Sequence, residues 1–412
     1  MAKSRAIFQF RGMRTNPPSA PPVTESQMTM RERVLRILRY EDYDWMPVVH
    51  FGFWDELYEK WEAEGRIPCD AERKELGRGS GERMVAEKLG FDIGWGEAVD
   101  ASAGLRPRFH WEILQTFPDG SRHVRQEDGV TVMDHPGVLS IPSEVDHLLK
   151  DRASWEEHYL PRLQWSPERG KERWVPTPAG GARFDAGGLD YLRREDRAEL
   201  LGLWSGSLIG WVRDWIGIEG LSYMFADDPD LVREIVDTIG GLSLRLVEEF
   251  FDTGAKVDYL HFWEDICFNK GPLVNPAFFR EVCAPWYAKI TGVARARGVG
   301  FSSVDCDGCI DSLVPIWLES GTNIMFPIEV GTWSASILPW REIYGREIRG
   351  VGGMDKRVFA IDRPAIDAEI ERLKPLVDLG GYIPCPDHRI PLEAEWDLVR
   401  YYCDRMRQAF GR

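Results

Sequence analysis

Two aspartates separated by one residue mark the end of an apolar stretch near the middle of the second half of the chain. Asp305 and Asp307 follow residues 299–304, whose composition predicts a buried strand. Because side chains alternate along a strand, an Asp-x-Asp pair places both carboxylates on the same side. Carboxylates in that position can bind polar ligand groups or take part in proton transfer. The pattern therefore predicts a functional site at this strand end.

Ionisable and aromatic residues also follow most of the other predicted strands. Ligands of parallel α/β folds bind where strands end, so residues far apart in sequence are expected to meet there. Glu264 follows a tryptophan, and partial burial would raise its pKa and make it a candidate general acid. The residues predicted to contact a substrate are His50, Trp54, Trp95, His261, Trp263, Glu329 and Asp355.

The elements that must position these residues alternate between strands and helices. Residues 298–329 predict one strand, helix and strand unit, which implies parallel strands. Eight strands are predicted in all, and most are separated by helical patterns, as in a (β/α)8 TIM barrel. A doubly wound open sheet is the alternative. The predicted strands are residues 47–53, 91–95, 200–207, 257–262, 299–304, 323–328, 348–351 and 382–384.

One stretch departs from the alternation of strands and helices. Residues 109–132 change to a period of two, with turn signals at 118–120 and 127–129. We therefore predict a small antiparallel β-meander after strand 2, within an insertion of about residues 105–190. Residues 1–27 contain many Arg, Pro and Ser and predict a disordered leader. Residues 28–412 are predicted to form a single domain.

Composition excludes several functions. The net charge of −16 disfavours a nucleic-acid partner, because phosphate contacts need clustered Lys and Arg. No apolar run approaches the roughly 18 residues of a membrane span, so no membrane association is expected. Seven cysteines scattered over 412 residues do not suggest a disulfide framework. The reducing cytoplasm is the expected location.

Two segments carry a resemblance to a known family. The opening RERVLRILRYEDYDWMPVV and the unit at 298–329 resemble the uroporphyrinogen decarboxylase superfamily, and the likeness extends over nearly the whole chain from Met28. The superfamily's methyltransferases have His-x-Cys-Gly at the central strand end, and the decarboxylase has Asp-Gly. This chain has Asp305, Asp307 and Gly308 there. The chain resembles the methyltransferase-like branch more than true uroporphyrinogen decarboxylase.

The resemblance also implies a candidate metal site. Carried over by position, the zinc ligands of the methyltransferases become Asp305, Asp307 and His388, or Cys385 in the third place if the register slips. Two carboxylates and an imidazole suit zinc, Fe(II) or Mn(II). The alternative is a site without metal, in which Asp307 and His388 transfer protons. His388 matches the late histidine of the decarboxylase.

A missing feature argues against uroporphyrinogen as the substrate. The decarboxylase follows its first strand with an Arg-rich loop that binds the many carboxylates of that molecule. The corresponding residues here, 50–55, contain no arginine, and the next one is Arg66. A substrate with eight carboxylates would need cationic partners at close range.

The preferred interpretation is therefore a methyltransferase-like enzyme. It would move a methyl group from a small methylated substrate to a thiol or to a corrinoid, which a separate corrinoid protein can carry. An acidic, aromatic pocket suits cationic donors. A decarboxylase or lyase acting on a small carboxylated substrate is the second interpretation, and a non-enzymatic ligand-binding barrel is the third. Relatives are often dimeric, so a homodimer is expected.

Overall fold

The computed structural model describes residues 28–75, 80–138 and 141–411. The predicted leader, residues 1–27, lies outside the described residues. The strands, in chain order, are β1 (Val49–His50), β2 (Ile93–Gly94), β3 (Ala98–Asp100), β4 (Glu112–Thr116), β5 (Arg122–Arg125), β6 (Val130–Asp134), β7 (Ser143–His147), β8 (Trp174–Val175), β9 (Ala182–Arg183), β10 (Gly202–Trp204), β11 (Tyr259–Trp263), β12 (Cys267–Phe268), β13 (Gly271–Pro272), β14 (Ser302–Asp305), β15 (Ile324–Ile328), β16 (Arg349–Met354) and β17 (Tyr382–Pro386).

Helices connect most of the longer strands. They are α1 (Met30–Leu38), α2 (Asp55–Ala63), α3 (Asp70–Glu75), α4 (Ser80–Leu89), α5 (Arg152–Ser154), α6 (Pro167–Lys171), α7 (Leu189–Arg193), α8 (Gly210–Asp227), α9 (Pro229–Asp252), α10 (Pro276–Phe278), α11 (Ala284–Ala296), α12 (Val314–Glu319), α13 (Val330–Trp333), α14 (Ile337–Tyr344), α15 (Arg363–Val377) and α16 (Trp396–Ala409).

Seven strands form one parallel sheet in the order β17, β16, β15, β14, β11, β10, β3. A separate parallel pair joins β1 to β2. Three residues, 95–97, separate β2 from β3, so consecutive short strands pair with different neighbours. Each of the eight predicted strand segments contains or overlaps an observed strand, which at 91–95 is β2. The prediction of a parallel α/β fold is confirmed.

Local sequence explains where the long helices begin. The Thr29 side chain accepts a hydrogen bond from the Glu32 backbone N–H, and the Glu32 carboxylate accepts one from the Thr29 backbone N–H, which forms a capping box. Asp228 caps α9, with Pro229 in its first position. One face of α9 then packs into the core through the buried side chains of Val232, Ile235, Ile239, Leu242, Leu246 and Phe250.

A four-stranded antiparallel sheet interrupts the parallel arrangement. Its strands β4, β5, β6 and β7 pair in chain order, and they span Glu112–His147. The sheet therefore continues past residue 132, where the predicted meander ended. Val124, Val130 and Val132 form a small apolar cluster of their own on it. The main apolar core extends from Val34 to Met406.

No helix within residues 28–75, 80–138 and 141–411 combines the length and the apolar character needed to cross a membrane.

Candidate active site

Neighbouring parallel strands bring the predicted residues into register. Trp263 on β11, Asp305 on β14 and Phe326 on β15 are successive partners across three strands. One level below, His261 pairs with Trp204 and with Ser303 in the same way. Since partners in a parallel sheet share a face and side chains alternate along each strand, both levels point to the same side. The result is a layered wall of aromatic and polar side chains.

This wall forms part of a cavity of about 820 Å³. The cavity contains most of the predicted site residues, together with four tryptophans and several carboxylates. Among the residues that line it are His50, Phe51, Trp54, Glu82, Arg83, Trp95, Glu97, Glu199, Trp204, His261, Trp263, Asp265, Asp305, Asp307, Phe326, His388 and Arg389. Its size matches that of pockets that hold small organic ligands.

Asp307 and His388 meet in this cavity. The Nε2 of His388 lies 3.1 Å from the Oδ2 of Asp307. An ionised carboxylate only accepts, so the imidazole donates this hydrogen bond. The His388 ring stacks on Trp54, with 5.5 Å between ring centroids, and Phe51 approaches it edge-on. The imidazole is therefore fixed by one hydrogen bond and two aromatic contacts.

The carboxyl groups of Asp265 and Asp305 lie beside this pair. The backbone N–H of Asp307 donates to the Oδ1 of Asp265, at 3.2 Å. Burial, followed by the charges of Asp307 and Asp265, raises the pKa of Asp305 well above its usual range. Burial and the Asp307 charge also raise the pKa of Asp265. The Oδ1 of Asp307 is buried and has no hydrogen-bond partner among the described residues. Arg213 offsets part of this charge, because its guanidinium lies 3.5 Å from the Asp265 carboxylate. The three carboxyl groups of Asp265, Asp305 and Asp307 still suit a cationic ligand.

Two histidines line the cavity as neutral side chains. Burial lowers the pKa of His50 to about 4 and that of His261 to about 3. The Nδ1 of His50 accepts a hydrogen bond from the Gly52 backbone at 3.0 Å, which leaves the proton on Nε2. Gly94 lies against this ring, and a Cβ on it would approach the His50 Cε1 to 3.1 Å. A glycine at 94 therefore leaves room for the imidazole.

The predicted role of Glu264 is corrected. Its side chain is fully buried rather than partly exposed, and it does not line the cavity. The carboxylate accepts hydrogen bonds from Tyr287, from Ser207 and from three consecutive backbone N–H groups, Leu208, Ile209 and Gly210. Burial raises its pKa, and these hydrogen bonds act in the opposite direction. Glu264 therefore anchors the start of α8 instead of meeting a substrate.

Two other predicted residues, Glu329 and Asp355, are not among the residues that line the cavity. Glu329 accepts hydrogen bonds from the Gly308 backbone and from Thr332, so it supports the loop that carries Asp307. Asp355 caps the turn that follows it and pairs with Arg357. Both carboxylates are engaged with protein groups, and their contact with a substrate stays a prediction.

Cys385 does not replace His388 as the cavity residue. Its side chain is fully buried on β17, burial raises the pKa of its thiol well above the usual range, and it does not line the cavity. Residue His388 faces the cavity instead. The alternative register, with Cys385 as a ligand, is therefore wrong.

The described residues contain no group of three His, Cys, Asp or Glu side chains placed to hold a metal ion. The predicted set of Asp305, Asp307 and His388 is consequently not assembled as a metal site. Its imidazole Nε2 is instead hydrogen-bonded to the Asp307 carboxylate. Binding of zinc, Fe(II) or Mn(II) by these three residues stays a prediction.

Sequence reasoning left some cavity residues out of the predicted site. Asp265, Trp204 and Phe326 lie at or near strand ends that the alternating pattern had already identified. Arg389 was left out as well, yet its guanidinium lies 5.8 Å from the Trp54 ring and lines the cavity. Its position next to His388 was the available signal.

Comparison with known proteins gives a fold but no family. No family model matches the chain, and no curated protein matches it. Among solved structures, a methyltransferase from Methanosarcina mazei aligns with 93% of this chain and 99% of its own, at a TM-score of 0.57 and 14% identity. A protein assigned as a vitamin-B12 independent methionine synthase from Listeria monocytogenes aligns with 58% of this chain and 72% of its own, at a TM-score of 0.32 and 14% identity. The first likeness shows that the α/β fold is shared, and the second adds nothing to it.

Proposed function

We propose that this chain is an enzyme of the uroporphyrinogen decarboxylase superfamily that removes a methyl group from a small cationic substrate. The fold shared with the Methanosarcina methyltransferase motivates methyl transfer as the reaction class. Backbone hydrogen bonds between Ile390 and the segment after β1, to Gly52 and from Trp54, support closure of the strands into a (β/α)8 barrel. In such a barrel the cavity would occupy the usual catalytic face.

The observation that carries this proposal is the meeting of carboxylates and tryptophans in one cavity. Asp265, Asp305 and Asp307 bring three carboxyl groups to one place, and Trp263 lies in register beside Asp305. Tryptophan faces attract ammonium groups, most strongly when water is excluded. A methylated ammonium would also relieve the repulsion that raises the pKa of Asp305. The site therefore favours a cationic methyl donor.

The side chains have separate tasks in this reaction. The carboxylates and Trp263 hold the ammonium, so that the methyl carbon is presented to the acceptor. The acceptor attacks that carbon, the C–N bond breaks and its electron pair remains on nitrogen, which leaves a neutral amine. Asp307 orients His388 by accepting a hydrogen bond from its Nε2. The Nδ1 of His388 can then exchange a proton with the bound donor or acceptor.

A thiol or a corrinoid, brought by a separate corrinoid protein, would serve as the methyl acceptor. Either group supplies the nucleophile when it is bound. The cavity of about 820 Å³ leaves room for a small donor and an approaching acceptor group. A homodimer also remains part of the proposal.

Calorimetric titration tests the choice of donor. Choline is compared with 3,3-dimethylbutanol, which has the same shape without the charge. We expect choline to bind at least about tenfold more tightly, since a desolvated cation–π contact is worth about 2 kcal/mol. Equal affinities would overturn cation recognition. Turnover is then followed as loss of the donor methyl group to a reduced corrinoid or to a thiol.

A decarboxylase or lyase is a second candidate, because the Asp307 and His388 pair is equally suited to proton transfer. Release of carbon dioxide from small acids, without methyl transfer, would favour it. Binding of choline without turnover in either assay would favour a ligand-binding barrel.

A further inference from the structure

Arg389 differs from the other guanidinium that lines the cavity. Arg83 is held by an ion pair with Glu97. Among the residues that the structure describes, Arg389 has no carboxylate within ion-pair distance, although the cavity contains many. Its Nη1 makes one long contact, 3.5 Å, with the backbone oxygen of Phe53. An exposed cation at the edge of an acidic cavity is therefore left with its donors available.

The surroundings of Arg389 fix its position relative to the acidic residues. The positive charge opposes the rise in the pKa of both Asp305 and Glu82, which follows from burial in each case. It is therefore close enough to influence both carboxylates and too far to form an ion pair with either. The ring of Trp54 contacts both neighbours, since it stacks on the His388 imidazole and lies 5.8 Å from the Arg389 guanidinium.

We propose that Arg389 binds a carboxylate of the substrate, so that the methyl donor is a zwitterion with a methylated ammonium and a carboxylate. This inference rests on the proposed function and specifies its substrate class. The ammonium would lie against Asp265, Asp305 and Trp263, and the carboxylate would accept two hydrogen bonds from the planar guanidinium. A zwitterion adds no net charge to the cavity. Its ammonium would meet the carboxyl groups, and its carboxylate would meet Arg389.

The same arrangement selects against other ligands. A simple cation such as choline leaves Arg389 without a partner and adds its charge to that of the arginine. A dianionic phosphate in place of the carboxylate would face the carboxylates of Glu82 and Asp305, which repel it more strongly. Specificity would therefore come from one positive group placed within a negative cavity.

Calorimetric titration of the full-length protein tests this inference. The probes are choline, trimethylammonioacetate and 4-(trimethylammonio)butanoate, and the two zwitterions differ in the spacing between their charges. We expect the wild-type protein to bind at least one zwitterion about tenfold more tightly than choline. Arg389→Gln should abolish this preference and leave choline binding unchanged or slightly tighter. Arg83→Gln is the matched control and should retain the preference, because its guanidinium is already held by Glu97.

Two results would overturn the inference. In the first, the wild-type protein binds choline as tightly as both zwitterions. In the second, Arg389→Gln weakens all three ligands equally, which would mean that the guanidinium only shapes the site. Both results leave the proposed function intact as long as choline still binds more tightly than 3,3-dimethylbutanol. Loss of that difference would instead remove the proposed cation recognition itself.

Discussion

The imidazole of His388 and the carboxylate of Asp307 are joined by a hydrogen bond of 3.1 Å, although 81 residues separate them in the chain. Each follows a strand of the same parallel sheet, β17 for the histidine and β14 for the aspartate. The pair lies in an acidic, aromatic cavity beside Asp265 and Asp305. This relationship makes Asp307 the first position to test.

Asp307→Ala should reduce turnover by at least about a hundredfold, because His388 loses the acceptor that orients it. The free energy of unfolding should change by no more than about 1–2 kcal/mol, since Asp307 is partly exposed. Turnover and urea unfolding are measured together. Asp387→Ala is the control, because Asp387 is buried and accepts hydrogen bonds from the Gly331 and Lys356 backbones. Asp387→Ala should therefore lose more stability than Asp307→Ala. Unfolding of the Asp307 variant would show that Asp307 has a structural role instead.

Asp305→Asn should increase stability at neutral pH while lowering affinity for the cationic donor. The folded-state pKa of Asp305 is raised, so the fold is most favoured while the group is protonated and loses stability as pH rises through that pKa. An amide cannot ionise, and we expect a gain of about 1 kcal/mol at pH 7. Urea unfolding from pH 5 to pH 8 should show the gain shrinking at the acid end. A gain that is the same at every pH would contradict the assigned cause.

Glu264→Ala should destabilise the fold by about 3 kcal/mol or more, because three buried backbone N–H groups and Tyr287 lose their acceptor. Tyr287→Phe is the milder comparison, since it removes one of these hydrogen bonds and should cost about 1 kcal/mol. Chemical unfolding measures both. If Glu264→Ala were as stable as the wild-type protein but inactive, Glu264 would be restored as a candidate acid.

Trp263→Ala should weaken choline binding about 5- to 30-fold, which corresponds to a cation–π contribution of about 1–2 kcal/mol. Trp165→Ala provides a matched control. Trp165 has Arg245 over its ring, as Trp263 has Arg213, but Trp165 does not line the cavity. Calorimetry gives both dissociation constants. An unchanged constant in the Trp263 variant would remove this ring from the ammonium site.

His50 and His261 should remain neutral throughout the physiological range. Burial lowers their pKa values to about 4 and about 3, so their ring signals should not titrate between pH 8 and pH 5.5. Both groups protonate more readily in the unfolded chain, so their contribution to stability is present above about pH 6.5 and is lost as pH falls towards 4. Two-dimensional NMR of the imidazole nitrogens, with free histidine as reference, checks this. A midpoint near 6.5 for either ring would show that it is solvated.

The sequence predicted the framework because its signals are local. The alternation of apolar strands with helical patterns depends on neighbouring residues, and the observed strands overlap the predicted segments. The capping box at Thr29 and the Asp-Pro start of α9 are local in the same way. The same reasoning placed Asp305, Asp307 and His388 at strand ends, and these residues share one cavity.

Which strand-end side chains face that cavity was decided only by the tertiary structure. Glu264 follows Trp263 directly, yet its carboxylate turns away to the buried N–H groups at the start of α8, while Asp265 faces the cavity. Glu329 and Cys385 are directed into supporting or core positions in the same way. These choices depend on unpaired backbone groups and packing partners that lie tens or hundreds of residues away, so no local pattern could reveal them. Long-range packing likewise leaves Arg389 without a carboxylate at ion-pair distance among the described residues.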